Sequence, residues 1–410
     1  MNQTNSANTP VLPTAKFGSG PLPSQARAII VGGGIAGCSI AYHLSKIGWK
    51  NVHLLESGKI SSGTTWHSAG QVGQLRASSI QTKINKASAE LFSRLLEETG
   101  HDPGWLQCGG LQLATTPERW TQLQRNAAMA RVFNVEAHLI TPGEVKKRWP
   151  VINTSDLCGA IWLPGDGRVL PGECTVALAK GAINGGVQVH EDTPVIELIR
   201  RGSRITGVRT AEGEITADQV ILTGGMWTRQ LGLKANIDIP LYPCEHHYVI
   251  TAPLEGVTRD FPCCRDPDAG LYFRSLDDGG MKLGAFKLRS KHWAVGDEVP
   301  NDFHFGLLEP DWEDFAQPLA SHHHRLPGTK DLEIVKFING PESFTPDNNF
   351  LIGEPSGIDG LFVLAGFNSA GIACAGGAGL YAAEWLETGN MPADLLSLDL
   401  RRFGPRHNQT

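Results

Sequence analysis

Residues 26–57 read ARAIIVGGGIAGCSIAYHLSKIGWKNVHLLES, and this stretch decides the class of fold. Residues 27–31 predict a strand, the glycines at 32–34 a tight turn, residues 35–48 a helix and residues 51–56 a second strand. Strand, helix and strand in this order predict a βαβ unit, which requires a parallel pair of strands.

Gly32, Gly34 and Gly37 follow the first strand at the spacing of a dinucleotide-binding turn. The first glycine permits the turn, the second lets the backbone approach a pyrophosphate, and the third lets the helix pack closely on the strand. The helix N-terminus attracts phosphate through its free N–H groups. Glu56 ends the next strand, where an acid accepts hydrogen bonds from ribose hydroxyls. An acid there favours a plain ribose over a 2′-phosphate but does not separate NAD from FAD.

Two later glycine-rich segments favour FAD. Residues 219–227, QVILTGGMW, lead a strand into Gly224, and residues 360–379, GLFVLAGFNSAGIACAGGAG, lead another strand past Gly366 into a helix that begins near Gly371. One nucleotide needs one such cradle, whereas a ligand with a flavin at its far end can use a second helix N-terminus.

The order of predicted elements indicates an α/β (α+β) chain in which a Rossmann-like FAD-binding domain is interleaved with a substrate domain built on a mixed or antiparallel sheet. Residues 186–225 and 241–290 alternate apolar and polar side chains as strands do, whereas residues 291–335 look irregular. The predicted FAD-binding domain comprises 27–90, 150–235 and 336–395, the substrate-binding domain 91–149 and 236–335, the flexible N-terminal segment 1–26 and the C-terminal tail 396–410.

Composition argues against several classes of partner. The 410 residues carry 36 basic and 42 acidic side chains, a net charge of 36 − 42 = −6, with no basic block, so we expect no nucleic-acid partner. No apolar run approaches the length of a membrane span. The polar N-terminus lacks the apolar core of a secretory signal and the eight cysteines are scattered, so we expect a cytoplasmic location.

Two local clusters suggest other chemistry. His322, His323 and His324 form a run that looks like a metal site, but no acid or Cys ligand pattern accompanies it, so we predict a surface loop and no metal. The adjacent Cys263 and Cys264 allow a strained vicinal disulfide or two thiols, and a reducing compartment favours the thiols.

Seven segments together resemble the FAD-dependent dimethylglycine and sarcosine dehydrogenases, which belong to the wider D-amino-acid-oxidase-like amine oxidoreductases. The similarity runs in order from about residue 27 to 404. The segments are VGGGIAG (31–37), SSGTTWHSAG (61–70), LPGDGRVLP (163–171), YPCEHHYVIT (242–251), NGPESFTPD (339–347), GFNSAGIACAGGAG (366–379) and PADLLSLDLRRFG (392–404).

The resemblance implies flavin-dependent oxidation of the C–N bond of a small secondary or tertiary amine, such as an N-methyl amino acid. The resulting iminium would hydrolyse to the demethylated amine and formaldehyde. These dehydrogenases usually continue into a folate-binding half that captures the one-carbon product. The chain ends where that half would begin, so we expect free formaldehyde.

The resemblance also implies a covalent flavin. TWHSAG matches the segment in which a His is joined to the 8α-methyl of the flavin, which assigns that role to His67 and places Thr65 beside the cofactor. The related sarcosine oxidases attach their flavin through a Cys in a later segment. The matching stretch of this chain, residues 339–347, contains no Cys.

The catalytic side chains are expected on two strands. By resemblance, His246 and Tyr272 match the active-site His and Tyr that bind and orient the amine. Because side chains alternate along a strand, His246 and His247 cannot both face one pocket. We favour His246, which places Tyr248 on the same face and the substrate near it.

Lys282 departs from the dehydrogenase pattern, which has an uncharged residue there. The surrounding GLYFRSLDDGGMKLGAF resembles the strand pair of monomeric sarcosine oxidase, in which a Lys over the flavin helps to activate oxygen. A cation there stabilises superoxide-like charge. The alternative is a solvent-facing strand Lys, since Met281 and Leu283 would occupy the other face.

The group that binds a substrate carboxylate is not evident. The sarcosine oxidases use basic residues, one of them in the last Gly-rich segment, and residues 367–377 contain no Lys or Arg. Arg76 and Arg274 are the candidate anchors because a guanidinium forks to a carboxylate, although each could instead pair with local acids. The substrate is therefore sarcosine, dimethylglycine or a larger N-methylated compound.

Three functions stay open at this point. An oxidase would pass electrons to O2 and form H2O2, and a dehydrogenase would pass them to an electron-carrier protein. A flavin-binding subunit of a larger complex would have a structural or carrier role.

Overall fold

The computed structural model describes residues 17–18, 20–296 and 298–404. Its strands are β1 (Gln25–Val31), β2 (Val52–Leu55), β3 (Gln71–Val72), β4 (Gly110–Ala114), β5 (His138–Ile140), β6 (Gly159–Leu163), β7 (Gly167–Arg168), β8 (Gln188–His190), β9 (Val195–Arg201), β10 (Arg204–Thr210), β11 (Gly213–Leu222), β12 (Tyr242–Thr251), β13 (Cys263–Asp266), β14 (Leu271–Ser275), β15 (Met281–Ala285), β16 (Ile334–Phe344), β17 (Leu351–Gly353) and β18 (Leu361–Ala365).

The helices lie mainly between strands of the first half and at the end of the chain. They are α1 (Ile35–Lys46), α2 (Ser79–Phe92), α3 (Leu95–Thr99), α4 (Pro117–Ala130), α5 (Pro142–Arg148), α6 (Pro171–Asn184), α7 (Thr228–Lys234), α8 (Trp312–Arg325) and α9 (Gly371–Thr388). None of the helices in the described part of the chain combines the length and the hydropathy that crossing a membrane requires.

The first sheet is built around β1, which is buried along most of its length. Its strand order is β17-β18-β11-β1-β2-β8, and β10 and β9 extend it from β11. β1 pairs in parallel with both β11 and β2, as the predicted βαβ unit requires. Helices α1, α2, α6 and α9 pack together over one face of this sheet, and their apolar side chains form the largest core cluster.

The glycines of the first turn are required by close backbone approach. Gly32 has a φ of +108°, and a Cβ there would lie 2.7 Å from the carbonyl oxygen of Thr223. A Cβ on Gly37 would lie deep inside van der Waals contact with the Gly32 carbonyl oxygen and 2.7 Å from Thr223 Oγ1. The turn therefore brings α1 against the ends of β1 and β11 only because these positions lack side chains.

The second sheet has the strand order β16-β12-β15-β14-β13-β4-β6-β5 and is antiparallel except for the parallel pair β13–β4. A Rossmann-like parallel sheet and a mostly antiparallel sheet confirm the predicted fold class. Strands β4 and β5, from before residue 150, pair with β6, and β16 pairs with β12. The second sheet thus includes β6 and β16, which fall within ranges assigned from the sequence to the FAD-binding domain, and the exact domain limits stay a prediction.

Two local expectations about residues 291–335 were wrong. Residues 312–325 form α8, capped by Asp311, whose side chain accepts from the Asp314 N–H. His322 is not in a surface loop but is fully buried on α8, and its Nε2 lies 3.0 Å from the Gly284 carbonyl oxygen. Pro318 and the three histidines concealed the helix from the sequence pattern, because the contacts with β14 and β15 stabilise it.

The chain ends and the adjacent cysteines are partly resolved by the fold. Of the predicted flexible segment, residues 1–16 and 19 lie outside the described residues, and β1 already begins at Gln25. The predicted tail is packed through residue 400, where Leu400 is buried, and residues 405–410 lie outside the described part. Cys263 and Cys264 are free thiols in β13, the state favoured from the sequence.

We predict that Gly37→Ala lowers the free energy of unfolding by about 1–3 kcal/mol or more, because the added methyl forces α1 away from β1. Thermal unfolding monitored by circular dichroism measures this loss. Gly143→Ala in α5 is the matched control, since its Cβ meets only Thr141 Oγ1, at 3.9 Å. Equal unfolding midpoints for the two variants would contradict the packing role of Gly37.

Candidate active site

The largest cavity lies at the carboxyl ends of the parallel strands and has a volume of about 380 Å³. The N-termini of two long helices, α1 and α9, open into it, at Gly34–Ala36 and at Gly371–Ile372. Neither helix has a side-chain cap from its own N-cap residue, which is Gly34 or Ala370. Unpaired N–H groups at a helix N-terminus bind anions.

Glu56 shapes the nucleotide end of this cavity. Its Oε2 accepts from the Gly33 N–H at 2.6 Å, and its Oε1 accepts from the Gly58 N–H at 2.8 Å. Thr65 connects the following loop to the same turn, because its Oγ1 accepts from the Ile35 N–H at 3.1 Å. A buried carboxylate next to a glycine turn is the arrangement that binds ribose hydroxyls beside a pyrophosphate.

The predicted cofactor residues divide into two groups by position. Gly32, Gly34, Glu56, Thr65, Gly224 and Gly371 line the large cavity. Gly37 and Gly366 do not line it. Gly366 has a φ of +72°, and a Cβ there would lie 2.6 Å from Thr345 Cγ2, so it permits the turn between β18 and α9. Two facing helix N-termini, a glycine cradle and an acid at the ribose position fit FAD.

A smaller cavity adjoins the large one. The two share Ser68, Glu342, Ser369 and Ile372 as lining residues, so they meet along one wall. The smaller cavity brings together four of the predicted site residues, which come from three separate segments of the chain. These are His67, His246, Tyr248 and Tyr272.

His67 ends a 3₁₀ turn, Thr64–His67, and its side chain is buried. A Cβ on Gly340 would overlap the imidazole ring, so the glycine in NGPESFTPD leaves room for it. Burial, with smaller contributions from His246 and Lys282, lowers the pKa of His67 to about 3. The imidazole is therefore neutral at physiological pH, which is the nucleophilic form.

His246 and Tyr272 form the polar pair of the smaller cavity. His246 Nε2 lies 2.9 Å from Tyr272 Oη, and the two rings are nearly parallel. Burial lowers the pKa of His246 to about 4, so this ring is neutral as well. His247 points to the other side of β12, where its Nδ1 lies 3.2 Å from Asp314 Oδ2 on α8. The expected choice of His246 over His247 agrees with this geometry.

Three side chains of the second sheet hold the loop that follows His67. Tyr248 Oη donates to the His67 carbonyl at 2.8 Å, Lys282 Nζ to the Ser68 carbonyl at 3.4 Å, and Arg274 Nε to the Ala69 carbonyl at 2.7 Å. Three consecutive carbonyls are thus bound by donors from β12, β15 and β14.

Lys282 and Arg274 therefore differ from the simplest expectations. Lys282 is 5% exposed and is not a solvent-facing strand Lys, because Tyr248 and the Ser68 carbonyl cover its ammonium group. Burial and the nearby Arg274 and Arg168 lower the pKa of Lys282 well below its usual value. Arg274 also donates to the Ser275 carbonyl, and it pairs with backbone carbonyls rather than with acids.

Three residues of the smaller cavity were not among the sequence-based candidates. They are Arg265, Glu342 and Ser369. Glu342 lies within NGPESFTPD, where an acid inside a predicted strand was a usable signal. Arg265 carried no local signal, because only the pairing of β13 with β14 places it beside Tyr272.

Comparison with known sequences identifies the family. The sequence profile of the FAD dependent oxidoreductases (DAO) matches residues 27–385. The solved structure of L-proline dehydrogenase from P. horikoshii is similar over 93% of this chain and 98% of that one, with a TM-score of 0.83 and 28% sequence identity.

Curated relatives match over nearly the whole chain. 4-Methylaminobutanoate oxidase (formaldehyde-forming) of Paenarthrobacter nicotinovorans is 39% identical over 95% of this chain and 47% of its own length. Human mitochondrial sarcosine dehydrogenase is 37% identical over 94% of this chain and 42% of its own length. The mitochondrial pyruvate dehydrogenase phosphatase regulatory subunit of Mus musculus is 38% identical over 95% and 44%, respectively.

The chain thus spans less than half the length of each of these relatives. The match to sarcosine dehydrogenase confirms the resemblance derived from the sequence motifs. The profile match, the two facing helix N-termini and the shared architecture lead to one conclusion. The chain belongs to the family of FAD-dependent oxidoreductases.

Proposed function

We propose that this chain catalyses the flavin-dependent oxidation of an N-methylated amine to an iminium, which water hydrolyses to the demethylated amine and formaldehyde. The observation that carries the proposal is the smaller cavity, in which the neutral pair His246–Tyr272 adjoins the proposed FAD cavity. The substrate class follows the names of two relatives, an N-methyl amino acid oxidase and a sarcosine dehydrogenase.

The residues that would hold FAD are those of the large cavity. The turn at Gly32–Gly34 and the α1 N-terminus would bind the pyrophosphate, Glu56 the ribose, and the α9 N-terminus the polar edge of the flavin. When bound, FAD accepts a hydride equivalent from the C–H next to the amine nitrogen.

The protein positions the amine. Tyr272 and His246 form a stacked, hydrogen-bonded pair that presents polar atoms from one wall of the smaller cavity. Because both groups are neutral, they bind an amine nitrogen without repelling its positive charge. Burial of this wall excludes bulk water from the reacting bond.

A second candidate function has one specific observation in its favour. The regulatory subunit from Mus musculus is as similar to this chain as the two enzymes are, so a non-catalytic flavin-binding subunit is the alternative. A small-molecule amine, O2 or a carrier protein as acceptor, no nucleic-acid or membrane partner, and a cytoplasmic location stay predictions for the catalytic reading.

Anaerobic flavin bleaching separates the two functions. Purified holoprotein should lose its flavin absorbance with at least one of sarcosine, dimethylglycine and 4-(methylamino)butanoate, and air should then release one formaldehyde per turnover. The corresponding unmethylated amino acids, glycine and 4-aminobutanoate, are the controls. If none of the N-methyl compounds bleaches the flavin, the non-catalytic reading replaces the proposed one.

We also propose that His67 carries the flavin covalently. A buried, neutral imidazole is a nucleophile toward the electrophilic flavin methyl, and small residues surround it in the loop. Acid precipitation of the holoprotein should leave the yellow colour in the pellet, whereas His67→Ala should release it into the supernatant. His246→Ala removes a His from the same cavity and should keep the colour in the pellet. Colour released from the unaltered protein would disprove the linkage.

Lys282 is proposed to assist electron transfer to O2. An anion beside its buried amine favours the protonated form, whose charge stabilises a superoxide-like species. Lys282→Met should slow reoxidation by O2 by about tenfold or more and leave anaerobic reduction by substrate within about twofold. Lys287→Met, which removes a Lys that pairs with Asp314, should change neither rate. Unchanged reoxidation in Lys282→Met would favour a carrier protein as acceptor.

A further inference from the structure

Arg265 is a cation without a partner in the wall of the smaller cavity. It lies on β13 directly opposite Tyr272 of β14, and its side chain is half-buried. Within residues 17–18, 20–296 and 298–404, no hydrogen bond or ion pair engages its guanidinium. Burial, together with Arg76, lowers the pKa of Arg265 to about 10, which still leaves it charged at neutral pH.

The other cations near the cavity are already occupied. Arg274 donates to two backbone carbonyls, Lys282 to the Ser68 carbonyl, and Arg168 pairs with Asp277. Arg76, the other anchor considered from the sequence, lines a separate small cavity and not this one. A desolvated guanidinium is costly unless an anion or several acceptors bind it, and it binds a carboxylate through two parallel N–H donors.

Glu342 provides the opposite charge. It is buried on β16, contacts Ser369 Oγ, and lines both the smaller cavity and the proposed FAD cavity. Among the described residues that line the smaller cavity it is the acidic one. Tyr272 lies within the electrostatic range of both Glu342 and Arg265. The wall therefore runs from a free cation, past a phenol, to a buried acid.

We propose that this cavity binds a zwitterionic N-methyl amino acid, with its carboxylate on Arg265 and its ammonium nitrogen on Glu342. The inference rests on the proposed function and specifies its substrate. Glu342 also lines the FAD cavity whereas Arg265 does not, so the amine end of the substrate points toward the cofactor. N-methyl amines without an acidic group would bind without the Arg265 contact.

Glu342 would also remove the proton that blocks oxidation. The substrate N–H bond breaks, the Glu342 carboxylate forms an O–H bond, and the electron pair stays on nitrogen, which is then neutral. Burial raises the pKa of Glu342 to about 7, so its carboxylate is a base matched to neutral pH.

The titratable neighbours of Glu342 do not change charge near neutral pH. Burial lowers the pKa of His67 and of His246 to about 3 and 4, and it raises the pKa of Tyr248 and Tyr272 above their usual value. Cys244, opposite Glu342 on β12, has a pKa raised to about 11 by burial. Glu342 is thus the group expected to titrate in this cavity near pH 7.

A structural role for Arg265 is the competing explanation. Its charge acts on Asp166, a buried carboxylate in the neighbouring small cavity. Asp166, however, already accepts from the Gln74 N–H at 2.9 Å, and the described residues include no ion pair between Asp166 and Arg265. A structural cation would affect every substrate alike, whereas a carboxylate anchor would affect only substrates with a carboxylate.

The test compares acids with their neutral amides in the full-length holoprotein. The probes are sarcosine and sarcosinamide, and 4-(methylamino)butanoate and its primary amide. For the acid that the unaltered protein oxidises best, Arg265→Gln should raise KM about 100-fold with kcat within about threefold. The matching amide should shift less than threefold, and Arg265→Lys should recover part of the loss. Flavin absorbance and the unfolding temperature check that each variant is folded.

Arg76→Gln is the matched control, because it removes a neighbouring positive charge that does not line the cavity. It should not change the ratio of acid to amide. Equal losses for acid and amide in Arg265→Gln, or a change of that ratio in Arg76→Gln alone, would overturn the assignment. A protein that oxidises amides but prefers no acid would overturn it while leaving the proposed function intact.

The pH profile tests the other end of the substrate. In the unaltered protein kcat/KM should rise with pH through about 7, since the Glu342 carboxylate is the active form. Glu342→Gln should remove this rise and lower the rate of anaerobic flavin reduction about 100-fold at pH 7.5, and Glu342→Asp should restore part of both. A rise near pH 7 that persists in Glu342→Gln would show that another group takes the proton. If no N-methyl compound reduces the flavin, the proposed function itself fails and this inference with it.

Discussion

Three hydrogen bonds to consecutive carbonyls join the two halves of the active site. The loop after His67 belongs to the nucleotide-binding part, but its carbonyls accept from Tyr248, Lys282 and Arg274 of the second sheet. Buried carbonyls without donors are costly, so these contacts specify how far the loop lies from the sheet. The position of His67 relative to His246 and Tyr272, and hence the shape of the smaller cavity, depends on that distance.

The same contacts explain why the cavity contains one free cation. A cluster of basic side chains is stable at this depth only if most of its donors are bound by the protein. Arg274 and Lys282 satisfy that condition through backbone carbonyls, and Arg168 through Asp277. Arg265 does not, and it faces the same space as the buried Glu342. A short zwitterion would satisfy both charges without any rearrangement of the protein.

Local signals in the sequence predicted the first sheet and the turn well, because β1, α1 and β2 are contiguous and their glycines leave a distinct pattern. The motifs also pointed to His67, His246, Tyr248 and Tyr272, which the fold brings to one cavity. Burial could not be predicted in the same way. Lys282 on a short alternating strand reads as exposed, and the histidines before Arg325 read as a loop, because the covering residues come from distant segments.

The sequence by itself determined the family, the fold class and the nucleotide-binding turn, since each depends on residues close together in the chain. Only the tertiary structure decided which basic residue is free. Arg76, Arg265 and Arg274 are equivalent as letters, yet their partners are set by strand pairing between β13, β14 and β15 and by the loop at residues 67–70. The physical reason is that the cost of a buried charge depends on what surrounds it in space, and those neighbours lie far away along the chain.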